Sequence, residues 1–438
     1  MSSPELNLAI AAADNGMWSE VVNYLQRIPL EQPIDRSQVL ALALQVLIQG
    51  DFEQQWDIAK IIPKLGEIAI QPLLDLIDDP SIDLEDRWFV ARILGDLVSG
   101  AAPLVKSQSK EHRPDVVATL VELVRQHEDP ELQAIAADAL AKIGTGVIPV
   151  LTDLLDTPDC AIAVAVLAQI RHSPTIEPLL RTIDSPDLQI RTLAIEALGS
   201  FHDPRIPPIL LAKLTDVAPS VRQAAVIALC LRSDLATELN LVQQLRPLLF
   251  DLNLAVCRAT ALGLARLNDP GAVAVLTEVL DSPHTPTGLR SEVILALGWI
   301  GTRSAINSLA TALTAPPPDL AQEILTGIGK TDQDRDYASQ VIVDYWRSNS
   351  SGSPAIVTQE IAAALGNLGN PHTVPDLIGL LGDPDDRVKL YTIAAIAKLS
   401  PTIPPAILQL ATRSDLPSAL QLGVRMCLSH WGLSAEFR

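Results

Sequence analysis

Four cysteines, seven histidines and 52 acidic side chains are the residues of this 438-residue chain best suited to bond-making chemistry. Cys160, Cys230, Cys257 and Cys427 are widely spaced, form no CxxC pair and join no histidine cluster. Neither a structural zinc site nor a disulfide framework is expected from them. The histidines, at 112, 127, 172, 202, 284, 372 and 430, show no ligand spacing. The phosphate-binding glycine loops, the HExxH zinc helix and the GxSxG nucleophile turn are all absent. Most carboxylates fall in turns such as Asp383–Asp386, where helix capping explains them. The thiols read as small buried hydrophobes; a thiol that carries a ligand transiently is the alternative, but no neighbouring residue activates one. The catalytic residues are therefore unknown, and no metal is expected.

Basic and aromatic side chains are better suited to binding. Arg191, Arg222 and Arg290 recur at equivalent positions, and Lys389 is a further copy. One reading is a ladder, each guanidinium bonding a loop carboxylate or carbonyl of an adjoining unit. The other is a basic stripe for carboxylates of a partner or ligand. Five donors per guanidinium allow both. With Arg258, these arginines occupy four consecutive units and form an island of positive charge in a chain of net charge −20. The tryptophans stand at 18, 56, 88, 299, 346 and 431. Trp88 and Trp299 read as core, with ligand stacking as the alternative. Tyr337, Val341 and Tyr345 share one helix face at i, i+4, i+8, and with Trp346 they form a candidate contact patch.

The elements that must position these residues are revealed by self-comparison. The stretch Asp187–Gly199 recurs around Arg222, Arg290 and Lys389, each copy followed by Ala-Leu or Ala-Ile. Weaker copies surround Arg87 and Thr358. The position of Arg191 falls at 58, 87, 133, 160, 191, 222, 257, 290, 321, 358, 389 and 421, a mean spacing of about 33 residues. Each unit reads as two helices. Ile190, Leu193, Ala194, Ala197 and Leu198 give the second its helical spacing. A capping residue followed by proline is predicted to start it, as in Asp129-Pro130, Thr157-Pro158, Ser185-Pro186 and Asp383-Pro384. Gly199, Gly298 and Gly366 are predicted to end it in the left-handed conformation. A lone helix pair cannot bury its apolar faces, so neighbours must stack. The expected fold is an all-α, right-handed α-solenoid of about twelve helix pairs, with the second helices lining the concave face.

Residues 1–50 form the expected N-terminal helical cap, 51–400 the repeat array, and 401–438 a C-terminal repeat and cap. Ala101–Pro114 and Arg347–Pro354 read as loops, and Thr314–Pro318 as a stiff connector. Hydrophobic residues make up 48% of the chain, aromatics only 3%, and Leu and Ala predominate, which suits closely packed helices and excludes a mostly disordered chain. Lys and Arg number 32 against 52 Asp and Glu, so the surface repels phosphate backbones and anionic lipid. Nucleic acid is not an expected partner. No apolar run looks long enough to span a bilayer, and the first residues, MSSPELNLAI, lack the pattern of a signal peptide. A cytoplasmic location is expected.

Two segments carry a family resemblance. Leu198-Gly-Ser-Phe-His-Asp-Pro204 with Val221-Arg222-Gln-Ala-Ala225, and Leu365-Gly-Asn-Leu-Gly-Asn-Pro371 with Asp383-Pro-Asp-Asp-Arg-Val388, resemble the short HEAT-like repeat of the E/F-type phycobilisome lyases. That likeness covers roughly residues 50 to 430. It implies a cyanobacterial scaffold that binds phycobiliprotein subunits or cofactor-assembly proteins, and places it in phycobiliprotein maturation. The alternatives it implies are a bilin lyase subunit, handling a phycobilin transiently with no cofactor bound permanently, and a scaffold for iron–sulfur assembly factors. The partner- or bilin-binding candidates are then Arg191, Arg222, Arg258, Arg290, Trp299, Tyr337, Tyr345 and Trp346. Deoxyhypusine hydroxylase carries the same repeat but needs several His-Glu pairs for its two irons. This chain has one, His127-Glu128, so that branch is rejected.

Overall fold

Every one of the twelve recurring positions falls within an α-helix, so the period does mark a structural unit. The computed structural model describes residues 4–29, 36–99, 113–126, 130–314, 316–349 and 353–433. These residues form α-helices joined by turns and short 3-10 segments, and contain no strand. The chain divides into two compact units, residues 1–206 and 207–438. The division falls at the start of the helix Ile206–Lys213, where no change of composition signals it.

In the first unit the helices Pro4–Asp14, Trp18–Arg27 and Arg36–Gln49 pack together ahead of the repeats. The second helices Leu84–Val98, Pro130–Ile143, Cys160–Ile170 and Leu188–Leu198 then stack in sequence. Each is backed by its own first helix, beginning with Ile70–Asp78 behind Leu84–Val98. The second unit repeats the plan. Pro219–Cys230, Leu254–Arg266, Thr287–Ile300, Pro318–Ile328, Ala355–Leu368, Asp386–Leu399 and Ser418–His430 stack as one layer. The core lies between layers, in side chains such as Val221, Leu229, Leu264, Leu297 and Leu365, all nearly inaccessible. Burial of these aliphatic faces drives the stacking.

Local details differ from the sequence expectation, each for a physical reason. The N-cap is not the residue before proline but the residue immediately after proline. Asp187 accepts from the backbone N–H groups of Gln189 and Ile190, and Asp385 from that of Arg387. Ser185, Thr157 and Asp383 instead accept the N–H two residues on, closing the turn in which proline sits. Asp129 and the His127-Glu128 pair lie outside the described residues. Gly199 is right-handed (φ −58°), and Gly298 and Gly366 are inside helices rather than at their ends. The left-handed caps are Gly301 (φ 60°) and Gly369 (φ 75°), three residues beyond.

Of Ala101–Pro114, residues 101–112 lie outside the described residues, while Arg113 and Pro114 open the helix Arg113–Gln126. Arg347, Ser348 and Asn349 extend the helix Arg335–Asn349, and Pro354 is the N-cap of Ala355–Leu368. One helical run, Pro130–Leu154, is long and apolar enough by length and composition to cross a membrane, contrary to expectation. It is interrupted by the 3-10 segment Gly144–Val147, with Gly144 left-handed (φ 73°), and Leu132, Ala136, Leu140 and Leu151 are buried within the repeat stack.

One buried carboxyl near the start of the array makes stability depend on pH. Asp86 is almost inaccessible, and its Oδ1 accepts from Gln55 Nε2 at 2.6 Å. Desolvation, reinforced by the neighbouring Asp83 carboxylate, raises its pKa to about 6. The folded chain therefore holds this proton more tightly than the unfolded chain, and stability falls as pH rises from about 4 through about 6. Asp86→Asn keeps an acceptor for Gln55 and removes the charge. It is expected to raise the unfolding free energy at pH 7.5 by about 1–2 kcal/mol and to change it little at pH 4. Urea titrations at the two pH values check this; equal effects at both would contradict it.

Candidate functional site

The recurring arginines are turned into the turns that precede their own helices. Arg191 Nη1 donates to the carbonyls of Ser185 (2.8 Å) and Pro186 (3.1 Å), six and five residues back. Arg222 Nη1 donates to Asp216 O (2.7 Å) and Val217 O (3.2 Å), and Arg290 Nη2 to Thr285 O (3.2 Å). Arg87 Nη2 reaches Asp79 O at 2.8 Å. Lys389, almost fully buried, pairs with Asp386 Oδ1 at 2.8 Å. Where cysteine replaces arginine, the Cys257 thiol donates to Asp251 O at 3.2 Å, so even the substitute keeps the turn contact.

Arg222 also reaches an adjoining unit. It closes a bidentate pair on Asp251, in the next repeat's turn, with Nε–Oδ2 2.8 Å and Nη2–Oδ1 2.7 Å. The two side chains are 15% and 10% exposed, so this charge is spent inside the fold. Asp251's carboxyl is held below the usual carboxylate range, mainly by the hydrogen bonds from Arg222. The predicted basic island is thereby reduced. Arg191 belongs to the first unit, Arg222 and Arg290 face their turns, and of the four Arg258 alone is exposed on the open side of the second-helix layer.

Arg258 marks a groove. It pairs with Glu292 on the next helix, and the two overlook a cavity of about 420 Å³ between the helices Pro219–Cys230 and Leu254–Arg266. Along Leu254–Arg266, the small residues Ala255, Ala259 and Gly263 recur at i, i+4, i+8, and Arg258, Leu262 and Arg266 form the parallel row. A side chain at Gly263 would overlap Cys230 Sγ, so glycine is what lets the two helices come this close. Ile227, 45% exposed, lines the opposite side. Burial pushes the Cys230 thiol up to about 12, leaving it neutral and apolar beside the groove. Burial likewise raises Cys160, Cys257 and Cys427, so none of the four is an activated thiol.

The aromatic candidates separate into different roles. Trp299 is half exposed on the second-helix layer rather than in the core. Tyr337, Tyr345 and Trp346 are held between first helices. The Arg303 guanidinium stacks 4.2 Å from the Tyr337 ring, whose hydroxyl donates to Asn307 Oδ1 at 2.5 Å. Desolvation raises the Tyr345 phenol. Trp346 lies against Gly379, where a Cβ would come within 2.9 Å of the ring. The sequence reading missed a cluster in the first unit. Phe52, Trp56, Trp88 and Phe89 interlock, and the Arg92 guanidinium sits 4.1 Å from Trp56 and 5.5 Å from Trp88. Among the described residues no group of three His, Cys, Asp or Glu side chains could hold a metal ion.

The comparisons with known proteins follow the same lines. In solved structures the chain is similar to Kap95p, in a study of Kap95p binding to RanGDP, with a TM-score of 0.60 and 13% identity over 92% of this chain and 61% of that one. It is similar to Kap121p bound to Nup53p, with a TM-score of 0.55 and 15% identity over 98% of this chain and 52% of that one. This chain thus spans about three fifths of Kap95p's length in that structure, and at these identities the likeness is one of fold. No curated protein matches the sequence as a relative. The HEAT-repeat pattern matches residues 70–162, 160–230 and 240–329, more than half the chain. Stacked helix pairs, a recurring turn-binding arginine and that match together establish that this chain belongs to the HEAT-repeat family.

Proposed function

We propose that this chain is a protein-binding scaffold whose working surface is its layer of second helices. The observation that carries this reading is the apolar surface which that layer leaves uncovered. In the second unit Ile227, Leu254, Trp299, Ile356, Leu390 and Leu422 are each at least 40% exposed. Large exposed apolar side chains on most of these second helices, repeated along a stacked layer, supply the apolar surface that protein-interaction sites use. The first helices present a different surface, laced by ion pairs between neighbouring repeats: Arg246–Glu278, Arg303–Asp334 and Arg347–Asp376. Exposed pairs of this kind add little stability but keep a face hydrated. Kap95p and Kap121p, which share the fold, are described with RanGDP and Nup53p, both proteins.

The narrower assignment is a cytoplasmic maturation factor for phycobiliproteins, and its support is the repeat resemblance at Leu198–Ala225 and Leu365–Val388. Raised thiols at all four cysteines favour a binding role over covalent bilin transfer. Size-exclusion chromatography of the full chain mixed with purified phycobiliprotein subunits, or with iron–sulfur carrier proteins, tests the assignment. A stable complex with the former alone is expected. A complex with the carriers alone would end the phycobiliprotein assignment and leave the scaffold reading standing; co-elution with neither would remove both named partner classes.

A further inference from the structure

We infer that the groove between the helices Pro219–Cys230 and Leu254–Arg266 docks one amphipathic helix of about three turns that carries acidic residues. This deepens, and rests on, the scaffold reading. Three features of the groove determine the occupant. The first is length. Ala255 and Arg266 both line it and lie eleven residues apart on one helix, about 16 Å at the α-helical rise.

The second is the lining. The small residues Ala255 and Ala259, with Ile227 and Leu262 alongside, offer apolar contact and room for side chains at i, i+4 and i+7 of a partner, while Gly263 is covered by Cys230 at the groove's floor. Both groove helices already pair their own backbone groups. An extended peptide would lie there with its N–H and C=O groups unmatched, whereas a helix brings its backbone bonds with it.

The third is charge. Glu292 is only 14% exposed and is already engaged by Arg258. Arg266 is exposed on the same helix and has no ion-pair partner among the described residues. Its guanidinium is the charge an incoming helix meets. The chain as a whole carries −20, which disfavours an acidic visitor at long range. At physiological salt, charges further than about 8 Å away are largely screened, so the groove's own positive excess governs docking.

The test uses two fluorescein-labelled synthetic helical peptides with leucine at the same i, i+3, i+4 and i+7 positions. One fills its polar face with glutamate and the other with lysine. Anisotropy titrations with the full chain at about 150 mM salt are expected to show the acidic peptide binding at least tenfold tighter. Arg266→Glu should weaken the acidic peptide about tenfold and improve the lysine peptide, and Ile227→Asp should weaken both. Arg266 and Ile227 are exposed, so unchanged melting curves would confirm that both variants are folded. Tighter binding of the lysine peptide, no binding of either, or indifference of the acidic peptide to Arg266→Glu would each overturn the inference. Running Arg266→Glu through the chromatography with phycobiliprotein subunits separates the two readings. If Arg266→Glu forms that complex as the unaltered chain does, and the unaltered chain shows no preference between the two peptides, the groove assignment fails and the scaffold survives.

Discussion

Arg222→Ala is expected to lower the unfolding free energy of the second unit by about 3–5 kcal/mol, whereas Arg258→Ala should cost less than about 1 kcal/mol. Both arginines form bidentate or forked pairs with carboxylates, but their surroundings differ. Arg222 and Asp251 are 15% and 10% exposed, and the same guanidinium also satisfies two turn carbonyls. Removing it strands a buried carboxylate that keeps only the Asn253 N–H, and takes this donor from the Asp216 and Val217 carbonyls. Arg258 is 50% exposed, and water can replace it. The pH dependence has a definite sign. Asp251's carboxyl lies below its ordinary value in the fold, so the pair contributes stability above about pH 4 that fades as pH falls through the depressed pKa. Arg222→Ala should flatten that acid limb. Removing Asp251 as well, in Arg222→Ala/Asp251→Ala, should recover part of the loss. Thermal melts of the three variants would measure this. An Arg222→Ala melt as mild as that of Arg258→Ala would show that the ladder is not a structural element.

Gly298→Ala is expected to destabilise by at least about 2–3 kcal/mol, although an exchange of glycine for alanine in a helix ordinarily gains close to 1 kcal/mol. The reason is the approach of two backbones. A Cβ at Gly298 would overlap the carbonyl oxygen of Gly327 and lie 2.9 Å from its carbonyl carbon. The helices Thr287–Ile300 and Pro318–Ile328 would have to separate along their whole contact. Gly288, on the first turn of the same helix, is the control, because there a Cβ meets nothing nearer than Leu254 Cδ2 at 3.6 Å. Gly288→Ala should be neutral or stabilising. If the two substitutions shift the melting temperature alike, the close approach is wrong.

The architecture was legible because it is written twelve times. A period near 33 residues, apolar spacing at Ile190, Ala194 and Leu198, and a shortage of rings leave stacked helix pairs as the consistent solution. What each punctuating residue does was less legible. Proline and serine in Ser185-Pro186 satisfy the usual cap pattern, yet the cap is Asp187, and the choice depends on which N–H each side chain reaches. Gly298 and Gly366 sit near helix ends in sequence, but their role is set by the neighbouring helix some thirty residues away. The same distance hid the groove. Arg258 was visible beside a recurring position, whereas Arg266, Ile227 and Gly263 recur nowhere and come together only when two repeats stack.

The uneven ladder gives the second unit an uneven compliance. Arg222 fastens its helix to the turn of the following repeat through Asp251. One repeat later Cys257 reaches only its own turn, and after that Arg290 does the same, its Nε buried without a partner among the described residues. The Arg258–Glu292 pair at the next joint, its arginine half exposed, is the weaker tie, so a load along the stack would be carried most stiffly between the Pro219 and Leu254 helices and taken up as bending further on. The stiff joint is the one that holds the groove. A docked helix would ride on a segment that keeps its shape while the coils beyond it flex like a spring, so the grip on one partner need not loosen as the rest of the array adapts to another.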